Sequence, residues 1–101
     1  MMRMKQGRRG QIVVSDEGFE VEVQMERSDI DIKYTTGART LYLAAYYREL
    51  HGPLLVAAPR NLRWEDDRQN RMEQSERDQI IDRVKRALEF SGENIEFVME
   101  R

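Results

Sequence analysis

From Phe19 to Glu26 apolar and polar residues alternate, with Phe19, Val21, Val23 and Met25 set against Glu20, Glu22, Gln24 and Glu26. A period of two places the sets on opposite faces of an extended chain, so this segment reads as a half-buried strand. Ile30, Ile32 and Tyr34 alternate with Asp29, Asp31 and Lys33 in the same way, and only Arg27-Ser28 separates the two runs. Such tight spacing requires an antiparallel hairpin, because parallel neighbours need a long crossover. Gln11–Ser15 is a shorter β-rich run, joined to Phe19 through Asp16-Glu17-Gly18, where glycine supplies the positive φ of a turn.

After the Thr35-Thr36-Gly37 turn the pattern is ambiguous. Leu, Ala, Arg and Glu between Ala38 and Pro53 favour helix, whereas Leu41, Tyr42, Leu43, Tyr46 and Tyr47 suit a pleated surface. The neighbouring strands favour a strand over Thr40–Arg48. Leu54–Ala58 is continuously apolar between two prolines and reads as a strand buried on both faces, with Leu62 and Trp64 as its extension. Glu65–Gln74 is a charged loop.

A different period governs Ser75–Gly92. Ile80, Ile81, Val84, Ala87 and Leu88 recur at three- and four-residue spacing, which gathers them on one side of a helix. Ser75 and Asp78 suit a capping box, and Gly92 suits a left-handed C-terminal stop. Ile95, Phe97 and Met99 then mark a closing strand within Asn94–Glu100. The expected architecture is an α+β domain: an antiparallel meander of about five strands, one C-terminal helix packed on one face, then a final short strand.

Composition narrows what such a domain can do. With 101 residues, 40% hydrophobic and 36% charged, the chain supports one thin domain over residues 11–101. Residues 1–10, with Arg3, Lys5, Arg8 and Arg9, read as a basic flexible start. The net charge of −2 is unevenly spread. Asp16, Glu17, Glu20, Glu22, Glu26, Asp29 and Asp31 are accompanied between Asp16 and Asp31 by the single base Arg27, a balance that repels nucleic acid. The absence of cysteine excludes disulfides and thiolate metal sites. No apolar run reaches the length of a membrane span or a secretory signal, so the expected location is cytoplasmic.

Candidate chemistry is sparse. His51 is the sole histidine and lies in a Leu50-His51-Gly52-Pro53 turn with no metal-binding spacing around it. Glu65, Asp66 and Asp67 have oxygen ligands for a hard cation but lack the spacing of a calcium loop. Gly7-Arg8-Arg9-Gly10 lacks the strand and helix that frame a phosphate loop. Ser15 and Ser28 have no base beside them. The sequence therefore points to no catalytic residue, no metal and no cofactor. It points instead to a surface: Glu20, Glu22, Glu26, Asp29 and Asp31 on the wet side of one hairpin, with Trp64 as a half-packed rim residue.

The stretch Leu62-Arg63-Trp64-Glu65, a charged loop, Ser75-Glu76, Ile80-Ile81, Val84, Leu88-Glu89-Phe90, Gly92 and Ile95-Glu96-Phe97 resembles a family of small α+β immunity proteins. These belong to bacterial polymorphic toxin and contact-dependent inhibition systems. The proline that the family usually carries after its Trp-acid pair is missing from Trp64-Glu65-Asp66-Asp67. The resemblance implies a non-enzymatic protein that binds and blocks one toxin domain. The acidic strands suit a basic toxin, with Glu20, Glu22, Glu26, Asp29, Asp31 and Trp64 as contacts. A small homodimeric scaffold or binding subunit is the alternative.

Overall fold

The computed structural model describes residues 1–8, 10–27 and 29–100; the readings placed on Arg9 and Ser28 fall outside this set. Its strands are β1 (Met2–Gln6), β2 (Gln11–Ser15), β3 (Phe19–Glu26), β4 (Asp29–Thr36), β5 (Arg39–Tyr47), β6 (Leu54–Pro59) and β7 (Ile95–Glu100), with α1 (Gln74–Phe90) between the last two. They form one seven-stranded sheet in the order of the chain. Pairing is antiparallel through β6, and β7 then joins β6 in parallel, with α1 as the crossover.

The α+β class and the single C-terminal helix match the sequence pattern, but the strand count does not. The residues expected to form a flexible start instead supply β1, whose Met2–Gln6 pairs along the whole of β2. The alternation of Met2, Met4 and Gln6 with Arg3 and Lys5 is too polar to announce a strand. The neighbour, more than the strand's own sequence, holds it in place. Leu62 and Trp64 do not extend β6, which ends at Pro59, where the missing proline N–H ends regular pairing. The ambiguous segment is a strand, Arg39–Tyr47, with Leu41, Leu43 and Ala45 buried and Tyr42, Ala44 and Tyr46 exposed.

Register makes one face of the sheet continuously apolar. Val13 faces Val21, Val21 faces Tyr34, and Tyr34 faces Leu41. A second row runs Val23, Ile32, Leu43, and a third runs Met25, Ile30, Ala45, Val56, Phe97. Ile80, Val84, Ala87 and Leu88 from α1 complete this core. Burial of these side chains is the main driving force for the fold.

The helix begins two residues earlier than a Ser75 cap implies. Glu73 occupies the N-cap and makes no side-chain cap bond, so Ser75 lies inside the first turn and the anticipated capping box is absent. The C-terminus follows the sequence signal. Gly92 has φ +92°, and the N–H groups of Gly92 and Glu93 donate to the carbonyls of Glu89 and Leu88 at 3.0 Å each. That pair of bonds is a Schellman motif. Among the described residues, no helix is long and apolar enough to cross a membrane.

Candidate protein-docking face

The helix covers one side of the sheet and leaves the other uncovered. Strand alternation then fixes which side chains line the open side. Its rows run Lys5, Ile12, Glu22, Lys33, Tyr42, then Arg3, Val14, Glu20, Thr35, Thr40, then Gln24, Asp31, Ala44. Glu26 faces Asp29 at the end of the hairpin. The five acids singled out in the sequence therefore lie on one face of adjacent strands, as their spacing implies.

Their electrostatics differ from the expected block of like charges. Glu20 accepts from Lys5 Nζ at 3.2 Å, Glu22 accepts a hydrogen bond from Gln24 Nε2, and Lys33 faces Glu22 across the hairpin. The directly opposed pair of like charges is Glu26 and Asp29. The side chains of Asp29 and Asp31 make no hydrogen bond or ion pair among the described residues, so the acids that remain available for a partner are those of β4. Beside them lie Tyr42 and Tyr46, 42% and 45% exposed. Leu55 and Ala57 of the neighbouring β6 are buried on this outer side, and Leu55 lines a small cleft with Arg48, Glu49, Pro53 and Glu96.

Trp64 does not belong to this surface. It is 7% exposed rather than half packed at a rim. Its ring lies 6.1 Å from that of Tyr34, Arg39 stacks on it at 4.5 Å, and its Nε1 donates to Glu76 Oε1 at 2.9 Å. The indole is a core residue whose one polar atom is satisfied, which is the usual arrangement for buried tryptophan. Its place at the end of an apolar run gave no sign that the following loop would fold back over it.

The Glu65–Gln74 segment is tied down. Arg39 pairs with Asp66 at 3.1 Å and Arg68 with Glu65 at 3.1 Å. Asn70 donates to Asp67 at 3.2 Å, and backbone bonds run from Glu65 to Thr40 and from Met72 to Leu62. The three acids thus face cations and an amide of the protein itself, and no group of three or more metal-ligating side chains converges among the described residues. His51 is exposed in the turn between β5 and β6.

Arg77 was not anticipated. It is 7% exposed, and its guanidinium donates to the carbonyls of Pro59 at 2.8 Å and Ala58 at 3.3 Å, tying the first turn of α1 to the end of β6. The available signal was its position: residue 77 precedes Ile80 and Ile81 by three and four, on the apolar stripe. An open cleft of about 430 Å³ lies beside it, lined also by Arg60, Arg71, Met72, Glu73 and Gln74.

Glu17 and Tyr47 are among the groups that titrate away from their ordinary values. The bond from Arg86 holds the Glu17 carboxyl below its usual range, across a 2.9 Å ion pair between α1 and the β2–β3 turn. Burial, with Glu93 beside it, raises the Tyr47 phenol. Neither lies on the open acidic face. Comparisons with family models, curated proteins and solved structures find no match.

Proposed function

We infer that this chain is a non-enzymatic binding domain, an immunity-type protein that acts in the cytoplasm and blocks a basic toxin domain with the open face of its sheet. The observation that carries this reading is the assembly of Glu20, Glu22, Glu26, Asp29 and Asp31 on one uncovered face, next to two half-exposed tyrosines. Acidic side chains steer a basic partner and select against acidic ones, and aromatic residues beside them supply the desolvated contact that charge alone does not. Trp64, buried on the other side, is not part of the surface.

The test starts with the neighbouring gene. If it encodes a secreted protein with a basic, toxic C-terminal domain, co-expression of this chain should restore growth. Glu22→Lys with Asp31→Lys should abolish protection while the melting temperature is unchanged. Full protection by the doubly reversed protein would eliminate the acidic face as the binding surface.

A second reading is favoured by the open edges of the sheet. Among the described residues, β1 and β7 each lack a neighbour on one side, and an unpaired strand edge is a template for pairing with another chain. A homodimer formed there would show a doubled mass by light scattering, with β1 or β7 amides protected from exchange. A monomer across a hundredfold concentration range would dispose of it.

A further inference from the structure

The open face contains a notch with a more specific chemistry than negative charge. Ala44 is the smallest outward side chain of the central β5 rungs, flanked two residues away on the same face by Tyr42 and Tyr46. Asp31 lies directly across from Ala44. Asp29 and Tyr46 flank the last registered pair of this ladder, Ile30 and Ala45, on the same open face. Cross-strand neighbours have Cβ atoms about 5 Å apart, and same-face residues along a strand are about 7 Å apart. A methyl floor is therefore bordered by a phenol ring and two carboxylates, all within reach of one planar cation.

The protein leaves these groups unused. The carboxylates of Asp29 and Asp31 have no partner among the described residues. The chain's own arginine–aromatic stacks, Arg39 on Trp64 and Arg83 on Phe19, involve other rings. Lys33 stands across from Tyr42, so an incoming cation is repelled from that side and directed to Tyr46. A guanidinium suits the notch better than an ammonium: it is flat enough to stack on a ring, it pairs with carboxylates in a fixed fork, and it is less strongly hydrated.

We propose that the basic partner inserts an arginine side chain over Ala44, stacked on Tyr46 and paired with Asp31 and Asp29. This rests on the reading of the open face as a docking surface and names what that surface selects. The probes are octa-arginine and octa-lysine peptides, titrated at equal, moderate salt into the full chain and followed by calorimetry and amide NMR. Octa-arginine should bind at least threefold more tightly than octa-lysine and shift the Ala44 amide. Tyr46→Ala should remove that preference with octa-lysine affinity unchanged, Tyr46→Phe should keep it, and Asp31→Asn should weaken both peptides.

Equal affinities, or a preference that survives Tyr46→Ala, would overturn the arginine notch. The docking face would still stand if Glu22→Lys with Asp31→Lys weakened both peptides. Binding that ignores this double reversal, or no binding of either peptide, would overturn both.

Discussion

The same strands present two faces built on opposite principles. On the helix side, Ile32, Tyr34, Leu41 and Val84 are completely excluded from water, and the charged groups that approach are held by aromatic rings, the Trp64 indole N–H or backbone carbonyls. On the open side, an even-numbered residue of β3 or β5 and an odd-numbered residue of β4 is polar, aromatic or small. Side-chain identity switches at every step along the chain, so one hairpin carries both the fold's stability and the face offered to a partner. Substitutions should separate these roles cleanly, since residues far apart and without shared partners act independently.

Phe19→Ala should have the largest effect. The ring is 1% exposed and lies 5.7 Å from Tyr34. Its loss should cost about 4 kcal/mol in denaturant unfolding, a large share of the stability of a small domain. Tyr42→Ala, on the other face of the same sheet, should cost about 1 kcal/mol or less. Similar losses at both positions would erase the contrast between the faces. Arg77→Ala comes next. It leaves the carbonyls of Ala58 and Pro59 without their donor beside the β6 terminus, and about 2 kcal/mol should be lost. Thermal unfolding would show this as a lower melting temperature with the strand signal retained.

How much of this was legible follows from the physical source of each element. β3 and β4 were plain because strict alternation admits a single pairing face. The helix was plain because its period and its terminal glycine agree. β5 was ambiguous because its composition favours helix, and tertiary pairing on both edges overrides that preference. β1 was illegible because its stability is borrowed from β2. The acidic side of the hairpin was legible residue by residue. The neutralisation of Glu20 by Lys5 was not, because it depends on that unexpected strand. Trp64 was misplaced because a sequence does not show which loop will close over an apolar end.

Smaller effects sharpen the description of the helix ends. Gly92→Ala forces a Cβ into a backbone at φ +92° with open space around it, so the penalty is conformational, about 1 kcal/mol. An unchanged urea midpoint would show that the chain ends α1 in another way when the glycine is lost. Glu17→Gln should have the smallest effect, because its pair with Arg86 is exposed and screened by salt. The Glu17 pKa is lowered from its ordinary 4.5. Its contribution is therefore fully present above that value and disappears as pH falls through the folded-state pKa. The melting difference between wild type and Glu17→Gln should be present at neutral pH, vanish in acid and shrink in high salt.

The central claim is that the open face, not the helix side, receives the partner. Side-chain and amide NMR of the intact chain during titration with octa-arginine tests this directly. The account predicts shifts concentrated at Glu22, Asp29, Asp31, Ala44 and Tyr46, with Val84, Ala87 and Leu88 unmoved. Shifts centred on α1, or none at any position, would contradict it.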